Sequence, residues 1–144
     1  MILYVRQLAW LNAVPRPPAR SKRAEKQLDT PQLSRIEKLK QQKLPVLMPP
    51  NPAPHLIGWL LEMGITQAAG MGAAPLSWAE IDAWSRRTFI DIGPWEGRLL
   101  RRLSVEYLGE SRRAEDETCP PIWRAPVTKI EVDTEQARLE ELLG

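Results

Sequence analysis

One cysteine and one histidine in 144 residues leave this chain short of the side chains on which most catalysis and metal binding depend. Cys119 alone cannot close an intramolecular disulfide, so a reducing compartment is the simplest setting. A structural zinc site takes about four Cys or His ligands and a catalytic one about three protein ligands, so with only His55 and Cys119 a metal centre would rest mainly on carboxylates. No carboxylate cluster stands out along the chain, and neither metal nor cofactor is expected. Long apolar runs are missing too. The opening MILYVRQLAWL is interrupted by Arg6, lacks a preceding basic segment and is far shorter than the roughly 20 residues of a membrane span. A cytosolic chain without membrane attachment is the expectation.

Nucleotide and nucleophile motifs are equally scarce. Residues 70–75, Gly-Met-Gly-Ala-Ala-Pro, are glycine-rich, but no strand clearly precedes them and no Lys-Ser or Lys-Thr follows. They read as a mobile connector over residues 64–75 rather than a phosphate cradle. Ser77 has no histidine near it in sequence and is not flanked as in a nucleophile elbow. Glu80 and Glu96 stand at predicted helix starts, where acids favour the positive end of the helix dipole, and that use accounts for them without acid–base catalysis. No catalytic residue emerges, and the chain is expected to bind rather than to catalyse.

What the chain has in quantity is proline, 14 residues, and tryptophan, six. An interior proline removes a helix hydrogen bond and clashes with the preceding turn, so any helix must fit between prolines. Charge is unevenly spread. Residues 1–52 carry ten Lys or Arg against Glu25, Asp29 and Glu37, net +7, whereas residues 53–144 carry ten against fifteen acids, net −5. A basic arm on an acidic body implies an anionic partner for the arm or contact between arm and body.

Residues 1–14 fit either a strand or a short amphipathic helix, and the pattern does not decide. Residues 15–23, PRPPARSKR, read as an extended basic linker that stays disordered without a partner. Thr30 as N-cap and Pro31 at the first helical position predict a helix carrying Leu33, Ile36 and Leu39, ending before Pro45. Five prolines then predict an extended hinge over residues 45–54.

Residues 54–111 predict a small helical unit built around tryptophans. Pro54 opens a helix with Leu56, Trp59, Leu60 and Met63 on one face, and Gly64 supplies a left-handed stop. Ser77 and Glu80 form a capping-box pattern, with Leu76 and Ile81 placed as a hydrophobic staple, predicting a helix over residues 78–88. Pro94 opens the longest helix, with Trp95, Leu99, Leu103 and Tyr107 on its inner face, Leu100 widening it, Arg98, Arg101 and Arg102 mainly outside, and an end near residues 109–113. After an acidic stretch and a proline-rich extended segment, residues 127–132 alternate weakly like a strand. Asp133 and Gln136 then offer a cap to a last helix with Leu139, Leu142 and Leu143.

The expected fold is therefore all-α: three to four short helices with an extended, flexible, basic N-terminal arm. Its parts are a proline-rich extension over residues 1–52 with one short helix, a helical domain over 53–113, and a tail over 114–144 ending in a short helix. Trp59, Trp78, Trp84 and Trp95, within 37 positions, are the chief anomaly. Most should be core, because each buried aromatic covers roughly 150–250 Å². A domain this small has little interior, so one of the four is expected outside, where a tryptophan serves as an interface anchor. Trp10 and Trp123, lying outside this unit, are further interface candidates. The arm lacks interleaved aromatics, which argues against nucleic acid.

The strings LSWAEIDAW (76–84) and PWEGRLLRRLSVEYL (94–108), with HLIGWLLE (55–62) before them, resemble small tail assembly chaperones of long-tailed bacteriophages and prophages. The likeness covers about 55 residues, and the arrangement of Trp84 with Pro94, Trp95 and Glu96 is its most specific part. It implies a non-enzymatic chaperone in the host cytoplasm that binds the tape measure protein, helps recruit tail-tube subunits and is absent from the mature virion. The long N-terminal extension departs from the usual short members. Trp59, Trp78, Trp84, Trp95, Tyr107 and Trp123 are the partner-binding candidates under this reading. The alternatives are a structural tail or head–tail component kept in the virion, or a nucleic-acid-binding module using the basic arm.

Overall fold

The computed structural model describes residues 1–26, 30–127 and 129–144. Among them lie seven helices and one two-stranded sheet, in the order α1 (Ile2–Asn12), α2 (Lys22–Lys26), α3 (Arg35–Gln41), α4 (Pro54–Glu62), β1 (Thr66–Ala69), β2 (Gly72–Pro75), α5 (Trp78–Thr88), α6 (Pro94–Arg113) and α7 (Lys129–Leu143). The protein is mostly helical, but the strictly all-α expectation gives way at residues 66–75.

The 20-residue α6 is the axis on which α1, α4, α5 and the hairpin rest. Its inward row is Gly97, Leu100, Leu103, Ser104 and Glu110. Against it pack Val5 from α1, Ile57 and Leu60 from α4, Leu76 from the loop after β2, and Ile81 from α5. Each of these apolar side chains removed from water contributes roughly 1.5–3 kcal/mol before entropy is counted, and together they make a single small core.

This core also draws in the chain's first residues. Residues 1–14 are not part of a free extension: α1 is helical and lies along α6, with Val5 and Ala9 fully buried and Leu11 2% exposed. Ala9 has no bulk beyond Cβ, which suits so close an approach. The local sequence is ambiguous because α1 has no side-chain cap, so tertiary burial selects its helix. The basic linker is likewise tied down rather than loose. Arg16 N–H donates to the Glu115 carbonyl at 2.7 Å, and Glu117 N–H donates to the Arg16 carbonyl at 3.4 Å, pairing the linker with the acidic segment after α6.

Other boundaries move for local reasons. The helix expected from Thr30 begins instead at Arg35, because Ser34 and Glu37 form a reciprocal capping box: the Ser34 N–H donates to Glu37 Oε2 at 2.7 Å and its hydroxyl accepts from the Glu37 N–H at 3.4 Å. Thr30 and Pro31 lie in irregular chain before it. Residues 64–75, expected to be a mobile connector, are a hairpin with Thr66 opposite Pro75 and Ala69 opposite Gly72. Gly70, at φ +58°, takes the first position of the two-residue loop, where a II′-type turn requires glycine. A lone hairpin is unstable in water, and this one is clamped to α6 at its base. There the Ser104 hydroxyl accepts from the Leu76 N–H at 2.9 Å and donates to the Ile65 carbonyl, joining the residues just before β1 and just after β2.

Pro54 and Pro94 do occupy first-turn positions of their helices, and Gly64 at φ +90° ends α4. α5 also starts where its cap places it, but only half of the capping box forms. The Ser77 hydroxyl accepts from the Glu80 N–H at 3.2 Å, while the Ser77 N–H donates to Gln67 Oε1 at 3.0 Å instead of to Glu80. The strand expected over residues 127–132 includes Thr128, outside the described residues; from Lys129 onward the chain is helical. α7 is exposed along residues 131–144.

Candidate partner-binding face

The six aromatic candidates fall into separate groups. Trp59 and Trp84 are half-buried and meet each other, with ring centroids 5.9 Å apart, and His55 stands edge-on to Trp59 at 5.3 Å. This trio staples α4 to α5. Tyr107 packs against the core and its hydroxyl accepts from Asn12 Nδ2 at 3.3 Å. Trp123 is half-buried, with its backbone N–H donating to Gln7 Oε1 at 3.3 Å, in a recess shared with Trp10, Leu11 and Pro121. Trp10 is committed as well: its Nε1 donates to the Cys119 carbonyl at 2.9 Å and the Arg35 guanidinium lies 4.5 Å above its ring.

Trp78 and Trp95 differ from the rest. They are 52% and 65% exposed respectively. The sequence pattern places Trp95 on the inner face of α6 with Leu99 and Leu103, but the face that packs is turned toward Gly97 and Leu100, leaving Trp95 outside. Gly97 explains part of that rotation. A Cβ there would stand 3.0 Å from Trp78 Cζ3, so any larger residue would push the Trp78 ring back by a few tenths of an ångström, and glycine lets it pack directly on α6.

Trp78 thereby separates two shallow clefts of about 220 Å³ each. One is lined by Ile81, Asp82, Ser85, Ile92 and Pro94 beside Trp78; the other by Arg98, Arg101, Arg102 and Val105. Arg101 lies 6.0 Å from the Trp78 ring centroid, within reach of a cation–π contact. Trp95, Arg98, Arg102 and Val105 are spaced by three, four and three residues, so they share the outward side of α6. The result is an aromatic surface bordered by arginine, a composition enriched at the energetic centres of protein interfaces.

The sequence places Trp78 and Trp95 among the candidates and Arg98, Arg101 and Arg102 mainly outside, but does not join Trp95 and these arginines into one face. Their spacing was the available signal. Phe89, 95% exposed in a left-handed conformation at φ +57°, and Met71 at the hairpin tip were missed as exposed apolar side chains, and nothing in their local sequence marks them.

Displaced ionisations lie elsewhere and have structural causes. Hydrogen bonds from the Ser34 backbone and hydroxyl hold the Glu37 carboxyl below its usual range, and those from Thr118 do the same for Asp116. Burial lowers the Arg35 guanidinium, opposed by Cys119 and Asp116, while hydrogen bonding to Glu110 raises Arg113. None of these groups lines the two clefts beside Trp78. Among the described residues no three His, Cys, Asp or Glu side chains are grouped to hold a metal ion, and no helix is long and apolar enough to cross a membrane.

Compared with family models, curated proteins and solved structures, the chain matches none.

Proposed function

We propose that this protein is a non-enzymatic tail assembly chaperone of a long-tailed phage or prophage, which binds the tape measure protein and helps recruit tail-tube subunits in the host cytoplasm. The observation that carries the binding reading is the pair of half-exposed indoles, Trp78 and Trp95, beside an arginine row on α5 and α6. A tape measure helix presents apolar stripes before the tail tube encloses it. An aromatic face of this kind covers such a stripe by helix-in-groove contact. The resemblance of residues 55–62, 76–84 and 94–108 supplies the identity of the partner, and those strings coincide with α4, α5 and α6.

Co-expression with a tape measure protein from the same phage or prophage tests the reading. The tape measure protein should stay soluble and co-purify with the chain, and a Trp78→Ala, Trp95→Ala double variant should lose both effects. Neither association nor rescue with the unaltered chain would sink the proposal. Mass spectrometry of purified particles separates the chaperone from a structural tail component, since a chaperone is missing from the virion.

A further inference from the structure

Two surfaces of the molecule are unsatisfied in complementary ways. On the outward side of α6, Arg98 and Arg101 have no acidic partner among the described residues, and Arg102 meets only Glu106 in its own helix, at 2.8 Å. Around them stand Trp78, Trp95 and Val105, all exposed by 44% or more. The second surface is α7. Its sequence, KIEVDTEQARLEELL, holds five acids against two bases, net −3, and none of Glu135, Glu140 and Glu141 enters an ion pair among the described residues. Val132, Leu139, Leu142 and Leu143 recur at offsets of seven, ten and eleven, so they form one stripe, with Glu135 inside it. All four are exposed, Leu142 and Leu143 by 76% and 85%. A helix of this length holds its shape poorly in water without a surface to cover its apolar stripe.

We propose that α7 of one copy docks across the Trp95, Arg98, Arg102 and Val105 row of a second copy, so that two chains exchange C-terminal helices in a closed dimer. Charge decides the match: an acidic helix with a leucine stripe fits an arginine-bordered aromatic row and is repelled by another acidic helix. Position decides in favour of a second copy over the chain's own face. The segment before α7 is pinned to α1 through Trp10 with Cys119 and Gln7 with Trp123. α1 packs on the side of α6 that carries Leu103, Tyr107 and Glu110, and the arginine row faces away from it. Within the single chain α7 is exposed along residues 131–144 while Trp95 and Val105 stay uncovered, so α7 does not lie on its own row. Reciprocal exchange satisfies both copies by one two-fold axis and leaves no open end for further growth. This dimer does not depend on the identity of any other partner, although it occupies the face proposed above for one.

Sedimentation of the full-length chain over a range of concentrations tests the exchange. The unaltered chain should dimerise reversibly, more weakly as salt rises. Arg98→Glu with Arg102→Glu, and separately Glu135→Lys with Glu140→Lys, should each weaken dimerisation by about tenfold or more. Combining all four reversals should restore it. All these positions are exposed, and circular dichroism of each variant verifies that the fold persists. A chain that is monomeric at every concentration overturns the proposal, as does a dimer indifferent to either reversal set. A monomer in which α7 is protected from hydrogen exchange also overturns it, in favour of docking within one chain. Failure here leaves the tape measure co-purification unaffected, so the two readings stand or fall separately.

Discussion

α6 has two sides that treat charge and aromatic rings in opposite ways. Toward α1, the ionic groups turn inward. Glu110, 2% exposed, accepts from Arg6 at 3.0 Å and from Arg113 at 2.7 Å. Nearby, Arg35 donates to the carbonyls of Trp10, Ala114 and Asp116 at 3.1, 2.7 and 3.0 Å. Toward α5, exposed arginines line a cleft beside the half-exposed Trp78, with Arg101 over its ring. One side spends its polar groups on holding the fold together. The other leaves Arg98 and Arg101 without an acidic partner among the described residues and pairs Arg102 only within its own helix, with Glu106.

The contrast breaks most violently if the shared core is damaged. Leu103 is fully buried, and Leu103→Ala should cost about 3–5 kcal/mol through lost transfer energy and a residual cavity. Denaturant titration should show a large drop in midpoint with little change in slope, and both sides of α6 should fail together. A loss below about 1 kcal/mol would mean that the core is not continuous between them.

Next in size is the α1 side itself. Arg35→Ala strips three carbonyls of their donor and removes the cover over Trp10, so a loss of about 2–3 kcal/mol is expected in thermal melts. Arg35→Lys should recover only part of it, since an ammonium lacks the planar fork that reaches three acceptors at once. Equal stability of the Lys variant and the wild type would show that charge, not geometry, is what this corner requires.

Ser104→Ala tests whether the hairpin depends on α6. It leaves the Leu76 N–H and the Ile65 carbonyl without their partner, at a cost of about 1–3 kcal/mol. Hydrogen exchange should accelerate first in residues 66–75, ahead of the helices. Uniform acceleration would instead make the hairpin inseparable from the rest of the core.

The elements that could be read from sequence are those fixed by local chemistry. Pro54, Ser77 and Pro94 each solve the problem of unpaired N–H groups at a helix start, so α4, α5 and α6 begin where they should. α1 has no such signal, and its helix depends on burial against residues nearly a hundred positions away. The hairpin was hidden for a related reason. Its alanines and glycines look like loop, and what makes them strands is a serine on α6. Trp95 was misplaced because helical periodicity gives a stripe of rings and leucines but not its phase, and the phase here follows Gly97 and Trp78. Whether a tryptophan is core or surface is decided by neighbours brought in by the fold, so the candidate face was legible as residues and not as a place.

A smaller, pH-dependent effect belongs to the α3 cap. Glu37 has a carboxyl depressed by its bonds from Ser34, so its stabilising contribution is present above the ordinary carboxylate pKa and is lost as pH falls through the folded value. Glu37→Gln should therefore melt below the wild type at neutral pH, and the gap should close on acidification. A gap independent of pH would place the effect in side-chain shape and not in charge.

The smallest expected effect on stability is the sharpest test of the contrast. Trp95 is 65% exposed at the start of α6, and its substitution removes little buried surface from the core. Trp95→Ser should leave the melting behaviour within about 0.5 kcal/mol of the wild type, as surface changes usually do. Yet an exposed indole beside arginines is costly to lose from an interface, where a central tryptophan contributes about 2 kcal/mol or more. The same substitution should accordingly weaken capture of the tape measure protein by about thirtyfold. The opposite outcome, a destabilised monomer that binds unchanged, would return Trp95 to the core side of α6 and erase the distinction between its two faces.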